Sequence, residues 1–209
     1  MSVNKNKCLV PAHKKRTEET HQKHIEQYGG KPVKTLLLGD SMMERLSTTA
    51  KDFFPVDDPS ICIAGVGGDG IQHLLWRIER GLIKQIPAEK IILMIGTNNV
   101  ENDSAQNIVD GIVNVVEKIH NDNSQAHIVV LGILQRNPPI NHHKTKRIID
   151  TLKSVNESLP QRLAGLSYCE FIDFSKEHTF DESHFEDHVH LNCEGYRIWF
   201  TMQLQKLII

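Results

Sequence analysis

The chain has 209 residues, of which 24 are lysine or arginine and 26 are aspartate or glutamate, so its formal net charge is −2. This near balance argues against nucleic acid as a partner, because binding to phosphates needs a concentrated basic excess. No stretch approaches the roughly 20 apolar residues that a membrane span requires, and segment 1–7 lacks the apolar core of a signal peptide.

The cysteines lie far apart in the sequence, and none belongs to a C-x-x-C pair. They are Cys8, Cys62, Cys169 and Cys193. Cys62 and Cys169 sit within apolar runs, where free thiols commonly pack as small hydrophobic groups. This usage is typical of a reduced, intracellular protein, and we predict a cytoplasmic location.

Short apolar runs alternate with stretches of helical periodicity along the chain. In chain order, the pattern predicts helix 17–28, strands 35–39 and 61–66, helix 70–80, strand 91–96, helix 105–119, strand 128–132, helix 144–159, strand 168–174 and helix 194–207. The apolar runs are nearly continuous in leucine, isoleucine and valine, which is typical of strands buried on both faces of a parallel sheet. The chain is therefore predicted to form a doubly wound α/β sheet with right-handed crossovers.

Neither an internal repeat nor a low-complexity linker interrupts this pattern. A chain of this length suits one domain with a full hydrophobic core, so we predict one domain over residues 1–209, with residues 1–30 as a helical extension packed on it. The extension carries a basic run, Lys14-Lys15-Arg16, followed closely by Glu18 and Glu19. We interpret this run as a solvent-facing helix surface.

Small polar motifs follow three of the predicted strands, at the point where each strand ends. They are Gly39-Asp40-Ser41, the glycine loop 65–70, and Gly96-Thr97-Asn98-Asn99. In an open parallel sheet, the loops at the carboxyl ends of the strands line one crevice where ligands bind. We therefore expect the three motifs to meet in one site.

Ser41 is a candidate nucleophile because of two residues near the other end of the chain. A serine after a strand is by itself more typical of a helix N-cap, and Met43 replaces the second glycine of a G-x-S-x-G elbow. Asp187 and His190, however, are three residues apart, so a turn would bring both side chains to one side. A serine needs a base to take its proton, and the base needs a group that orients its ring. We predict Ser41, His190 and Asp187 as the catalytic residues.

The glycine loop also invites a dinucleotide-binding interpretation, since Gly65, Gly67 and Gly70 form G-x-G-x-x-G. That motif needs an acidic residue at the carboxyl end of the next strand, whereas Glu89 lies at the opposite end. We interpret the glycines instead as leaving backbone N–H groups uncovered for a developing oxyanion. The side-chain amide of Asn98 would be a third donor there, beside Ser41 and Gly68.

A cluster of histidines near the end of the chain raises the alternative of a metal site. The four are His178, His184, His188 and His190. Their spacing is irregular, no cysteine joins them and no H-E-x-x-H helix is present. We therefore predict neither a metal nor a cofactor, and we assign no role to the first three.

Together these residues resemble the SGNH, or GDSL-type, esterase family. Its four blocks are matched in order by Gly39-Asp40-Ser41, by Gly68, by Gly96-Thr97-Asn98-Asn99, and by Asp187 with His190 as D-x-x-H. The match is closest to the catalytic alpha subunits of intracellular type I platelet-activating-factor acetylhydrolase, over segments 65–80, 95–101, 129–132 and 188–196.

The resemblance implies a flavodoxin-like, three-layer α/β/α fold with a five-stranded parallel sheet and a metal-free acyl-enzyme mechanism. It implies that Ser41 attacks an ester carbonyl while His190 acts first as general base and then as general acid, with Asp187 orienting the ring. The oxyanion would lie among the N–H groups of Ser41 and Gly68 and the amide of Asn98.

The resemblance further implies a small acyl pocket walled by residues beside the catalytic ones, here Met42, Thr97 and Val189. The leucines familiar at the first and third of these positions are replaced, which points to a reshaped pocket. The expected substrate is a small acyl ester, acetyl esters foremost, including platelet-activating-factor-like phospholipids, and the expected assembly is a homodimer. Three alternatives stay open: a carbohydrate O-acetylesterase, a thioesterase on the same fold, and a non-enzymatic scaffold subunit.

Overall fold

A computed structural model describes residues 6–139 and 143–208 of the chain. Residues 1–5 of the predicted N-terminal extension therefore lie outside the described residues. Five strands are present in the described part: β1 Val33–Gly39, β2 Ile61–Gly65, β3 Ala88–Met94, β4 His127–Leu131 and β5 Cys169–Ile172. They form one parallel sheet in the order β2-β1-β3-β4-β5, which is the flavodoxin-like order.

Helices of very different length connect the strands. They are α1 Lys15–Tyr28, α2 Ser41–Glu44, α3 Ile71–Glu79, α4 Leu82–Gln85, α5 Ala105–Asp122, α6 Thr145–Leu163 and α7 Cys193–Trp199. After α7 the chain widens into a π-helical turn, Phe200–Leu204, and ends in a short helix α8, Gln205–Ile208.

The fold prediction from the sequence is confirmed: all five strands and all five long helical segments are present. Two short helices, α2 and α4, were not among the predicted elements, because four residues make barely one turn and show no periodicity. The strand predicted to start at residue 91 begins at Ala88. The last predicted helix is interrupted by the π-helical turn.

The two faces of the sheet carry separate hydrophobic clusters, which gives the three-layer α/β/α arrangement. On β1, Leu36 and Leu38 pack with residues of α3, α5 and α6, whereas Leu37 packs on the opposite face with Tyr196 and Trp199 of α7. Successive residues of a strand point to opposite faces, so a strand covered on both sides must be apolar throughout. This is why the strands were recognisable as continuous apolar runs.

The register of the sheet brings the predicted site loops together. Gly39 at the end of β1 pairs with Gly65 at the end of β2 and with Met94 at the end of β3. The three polar motifs therefore leave the sheet side by side at one edge. The N-terminal helix α1 packs against α3 and α4, and its Ile25 and Tyr28 contact the main core.

Candidate active site

Ser41 is the first residue of the short helix α2, directly beyond the end of β1. The preceding Asp40 is the N-cap, and its Oδ1 accepts a hydrogen bond from the Met42 amide at 3.0 Å. Gly39 makes the turn possible, because a Cβ there would lie 2.0 Å from the carbonyl oxygen of Met94. Ser41 is itself buried, with 6% of its surface exposed.

Asp187 and His190 are held together by a local turn of the kind that aspartate favours. Asp187 Oδ1 accepts hydrogen bonds from the amides of Val189 and His190, each at 2.7 Å. These two bonds occupy one carboxylate oxygen and leave Oδ2 facing the imidazole. The contacts that orient Asp187 therefore all lie within this short segment.

A continuous hydrogen-bonded row joins the three predicted catalytic side chains. Asp187 Oδ2 lies 2.7 Å from His190 Nδ1, and His190 Nε2 lies 2.8 Å from Ser41 Oγ. With the ring proton on Nδ1 donated to Asp187, Nε2 is the acceptor for the serine hydroxyl. The Ser41 hydroxyl is thus hydrogen-bonded to an imidazole that lies 149 residues later in the sequence.

The hydrogen bonds around Asp187 keep it ionised. Partial burial opposes ionisation, but the bonds from the His190 ring and from the His190 and Val189 amides outweigh it and lower the pKa of Asp187 to about 2. An ionised carboxylate beside the imidazole stabilises the cation that forms when the ring takes a proton.

Asp40 has the opposite environment. It is fully buried, and burial raises its pKa to about 7, with repulsion from Asp69 adding to the effect and backbone N–H groups, chiefly that of Met42, opposing it. Since its Oδ1 holds the Met42 amide, Asp40 anchors the turn that presents Ser41.

Gly68 and Asn98 lie on the two loops that flank Ser41, after β2 and β3. Gly68 has φ +75°, a conformation that favours glycine, and within the described part of the chain neither its N–H nor that of Ser41 donates a hydrogen bond to another residue. The Asn98 amide donates to the carbonyl oxygen of Asp69 at 3.0 Å, which uses one of its two N–H groups and leaves the other. Uncovered donors on adjacent loops are what an oxyanion hole requires.

The three predicted acyl-pocket residues line one narrow cleft beside Ser41. Its unoccupied volume is about 210 Å³, and no position within it is wide enough to admit a water molecule. The lining residues are Asp40, Met42, Met94, Thr97, Ile133, Leu134 and Val189. The sequence did not indicate Met94, Ile133 or Leu134, which belong to the core pattern of β3 and of the segment after β4.

The basic run Lys14-Lys15-Arg16 at the start of α1 also makes contacts that the predicted solvent-facing surface did not include. Lys14 donates to the carbonyl oxygen of Gly68 at 2.7 Å, and Arg16 contacts both carboxylate oxygens of Glu44 at 2.9 and 3.0 Å. Lys15 and Arg16, whose side chains are 89% and 59% exposed, fit the predicted solvent-facing surface. The sequence did not indicate the two contacts because they depend on how the run lies against α2 and the loop that follows β2.

Further contacts around the site were not predicted from the sequence. Arg136, with 8% of its side chain exposed, binds Glu101 at 2.8 Å and also donates to the Thr97 carbonyl at 3.4 Å. The Tyr196 hydroxyl donates to the Met42 carbonyl oxygen at 3.0 Å. Each of these contacts joins segments at least 35 residues apart, so no local pattern could have revealed them.

The remaining histidines are dispersed around the site. His188 Nδ1 lies 3.1 Å from the Asn137 carbonyl oxygen, His178 packs against Phe174 and Phe180, and His184 contacts Asp181 at 3.0 Å. Among residues 6–139 and 143–208, no group of three or more histidine, cysteine, aspartate or glutamate side chains is arranged to hold a metal ion. Over the same residues, no helix is long and apolar enough to cross a membrane.

Comparison with known proteins places this geometry in a family. A profile of the GDSL-like lipase/acylhydrolase family matches residues 37–198, which include every residue of the hydrogen-bonded row. The chain belongs to this family. It is accordingly a carboxylic ester hydrolase.

Curated relatives agree with this assignment, and a solved structure shares the fold. Platelet-activating factor acetylhydrolase IB subunit alpha1 of Homo sapiens is 29% identical over 184 residues, which cover 84% of this chain and 76% of that protein. The alpha2 subunit of Rattus norvegicus is also 29% identical, with the same coverage. A GDSL-like lipase from Bacteroides thetaiotaomicron matches in fold with a TM-score of 0.73 at 18% identity, covering 91% of this chain and 96% of that one.

Proposed function

We propose that this hydrolase cleaves short-chain acyl esters, acetyl esters foremost, through an acyl-enzyme on Ser41. The observation that carries the proposal is the unbroken row from Asp187 through His190 to Ser41, with distances of 2.7 and 2.8 Å. Both lie within the range in which a base takes a proton from a nucleophile.

The chemistry would proceed in two steps. Ser41 Oγ attacks the ester carbonyl carbon while its proton passes to His190 Nε2, and the tetrahedral intermediate collapses when that proton is given to the departing alcohol. Water then attacks the acyl-enzyme, again with His190 as base, and releases the acid and free Ser41. The negative charge on the carbonyl oxygen would be stabilised by the N–H groups of Ser41 and Gly68 and the amide of Asn98.

The preference for a short acyl group rests on the cleft beside Ser41. The cleft is too narrow for a water molecule as it stands, so any acyl group must move a lining side chain, and an acetyl group requires a much smaller displacement than a long chain. Met42 and Val189 line it, and methionine is flexible enough to move aside for a small group. The proposed acyl pocket is therefore Met42, Thr97 and Val189 with their neighbours.

For the alcohol part of the substrate, we propose a platelet-activating-factor-like phospholipid. The support is that the relatives at 29% identity are platelet-activating factor acetylhydrolase subunits. The same relatives are named as subunits, and we propose that this chain also assembles, as a homodimer. We further propose a cytoplasmic location, because both accessible cysteines, Cys169 and Cys193, are unpaired thiols.

The first test is acyl-chain selectivity on p-nitrophenyl acetate, butyrate and octanoate. We expect kcat/KM to fall with chain length, and Ser41→Ala to lower kcat by about 10⁴-fold or more. Ser47→Ala, which removes an exposed hydroxyl bonded to the Glu44 carbonyl, is the matched control and should keep full activity. Activity that survives Ser41→Ala would exclude Ser41 as the nucleophile, and faster cleavage of octanoate would exclude a short acyl pocket.

The second test compares acetate release from three acetyl donors: an acetylated ether phospholipid, an acetylated oligosaccharide and an acetyl thioester. The proposal expects the highest kcat/KM for the phospholipid. A higher value for either other donor would identify a carbohydrate O-acetylesterase or a thioesterase instead. Failure of a fluorophosphonate probe to label Ser41 in folded protein would favour a scaffold subunit.

A further inference from the structure

Two residues at the start of α1 contact the loop that carries Gly68. Thr17 Oγ1 donates to Asp69 Oδ1 at 2.6 Å, and both side chains are fully buried. Lys14 Nζ donates to the Gly68 carbonyl oxygen at 2.7 Å and lies 3.4 Å from the same Asp69 oxygen. The N-terminal segment therefore binds the glycine loop through two neighbouring residues of that loop.

Asp69 connects Thr17 to the oxyanion hole. The side chain of Asp69 is held by Thr17, while its backbone carbonyl oxygen accepts the hydrogen bond from the Asn98 amide at 3.0 Å. The direction of the second, unused N–H of Asn98 follows from the first. A shift of Asp69 would thus turn Asn98 away, although Thr17 itself touches no reacting atom.

Asp69 has few other partners, which makes the Thr17 contact decisive for its position. Its side chain is 0% exposed, and within the described chain its Oδ2 forms no hydrogen bond. A buried carboxylate is stable only where hydrogen bonds and countercharge compensate for lost water. The Thr17 hydroxyl at 2.6 Å and Lys14 at 3.4 Å are closest to Asp69 Oδ1, and His73 Nδ1 lies 4.0 Å from it.

We infer that Thr17 and Lys14 are positioning residues for the oxyanion hole, and that the N-terminal segment thereby forms part of the catalytic apparatus. Lys14 holds the carbonyl group of Gly68, on the opposite side of the same Cα from the donor N–H, and Thr17, through Asp69, holds the amide of Asn98. The inference rests on the proposed function, because it assumes that Gly68 and Asn98 stabilise an oxyanion.

The main experiment replaces the Thr17 hydroxyl. In Thr17→Val the side chain keeps its shape but loses its donor, and we expect kcat on p-nitrophenyl acetate to fall by about 10- to 100-fold with KM changed less than about twofold, because oxyanion donors act mainly in the transition state. Thr17→Ser keeps the hydroxyl and is the matched control, with kcat close to that of the wild type. Equal kcat in Thr17→Val and the wild type would overturn the inference.

A double-mutant cycle with Asn98→Ala separates positioning from a general loss of structure. If Thr17 acts through Asn98, Thr17→Val should lower kcat by a much smaller factor in the Asn98→Ala background than in the wild type. If Thr17→Val lowers kcat by the same factor in both backgrounds, Thr17 does not act on this donor.

The two neighbouring lysines give a second variant and its control, and this variant changes a side chain that is itself 39% exposed. Lys14→Met should lower kcat by about 10-fold, whereas Lys15→Met, which removes an 89% exposed side chain that pairs with Glu19, should leave kcat unchanged. If Thr17→Val does not fold, the comparison of the two lysine variants tests the positioning role instead. Equal activity of both lysine variants would contradict the role of Lys14.

The same measurements distinguish failure of the proposed esterase activity from failure of the positioning role. An inactive wild type, or activity that survives Ser41→Ala, would remove the proposed function and the inference with it. Ser41-dependent activity that is insensitive to Thr17→Val and to Lys14→Met would leave the esterase standing and overturn only the positioning role.

Discussion

Asp187 and His190 have a near copy six residues earlier in the chain. Asp181 Oδ1 accepts from the Ser183 amide at 2.9 Å and lies 3.0 Å from His184 Nδ1, which itself accepts from the Asp181 amide at 3.2 Å, so a similar aspartate-to-histidine turn occurs twice. Only the second turn has a serine on the far side of the imidazole. The difference between an ordinary turn and a candidate triad is therefore the third partner.

This duplication supplies a control for the role of Asp187. Asp187→Asn keeps an oxygen for the Val189 and His190 amides but cannot hold the imidazole in its required proton arrangement, and we expect kcat to fall by about 10⁴-fold. Asp181→Asn makes the same change in the copy and should leave kcat within about twofold. Steady-state kinetics on p-nitrophenyl acetate measures both, and comparable losses would point to a structural effect shared by the two turns.

At the scale of an element, the short helix α2 depends on how closely it approaches the end of β2. A Cβ on Gly65 would lie 2.2 Å from the Glu44 amide nitrogen and 2.7 Å from the Asp40 carbonyl oxygen. Only a residue without a side chain allows this packing, so the position of Ser41 is set partly by a glycine on another strand.

We expect Gly65→Ala to lower the free energy of unfolding by about 1 to 3 kcal/mol, as for other overpacked sites, and to lower kcat by displacing α2. Gly165→Ala is the control, since nothing lies within 4 Å of the added methyl group. Urea unfolding and kinetics on the same preparations give both quantities. Full activity in Gly65→Ala would show that α2 tolerates displacement.

The N-cap of α2 makes stability depend on pH. Burial raises the pKa of Asp40 from 3.8 to about 7, so between these pH values the folded state holds a proton that the unfolded state has released. The contribution of Asp40 to stability is therefore greatest at low pH and declines as pH rises through this window.

Asp40→Asn removes this titration but keeps an acceptor for the Met42 amide. From pH 4.5 to pH 7.5, we expect the unfolding free energy of the wild type to fall relative to that of the variant by about 2 to 4 kcal/mol. Urea titrations at several pH values measure the difference. A difference that does not change with pH would contradict a raised pKa for Asp40.

At the scale of the whole molecule, the two tryptophans report on opposite sides of the sheet. Trp76 of α3 stacks on His13 with ring centroids 4.8 Å apart, whereas Trp199 is buried in the other cluster and donates to Gln203 at 2.9 Å. Trp76 thus also reports on the N-terminal segment. Fluorescence of the two tryptophans can therefore test whether the chain unfolds as a single domain.

We propose that residues 1–209 unfold as one unit, with the N-terminal segment included. In Trp76→Phe and in Trp199→Phe, the midpoint of urea unfolding by fluorescence should coincide with that by far-UV circular dichroism of the same variant. An earlier fluorescence transition in Trp199→Phe, which retains Trp76, would mean that the N-terminal segment detaches first.

The sequence predicted the sheet because β1, β3 and β4 are covered on both faces and their apolar runs are continuous. It also predicted that the site loops converge, since carboxyl ends of parallel strands share an edge, and the Asp187–His190 pair is local. The Thr17–Asp69 and Arg136–Glu101 contacts could not be predicted, because they depend on which helix or loop lies against which strand end. The width of the acyl cleft depends on side-chain rotamers, which composition does not determine.

The narrowness of that cleft has a thermodynamic consequence for substrate recognition. An acyl group that enters by moving Met42 aside displaces no water from the cleft, so only the water released from the acyl group itself contributes an entropic gain. New dispersion contacts with Met42, Met94 and Leu134 supply the driving force instead. Calorimetry of a short-chain ester analogue should therefore record heat release with little entropic benefit.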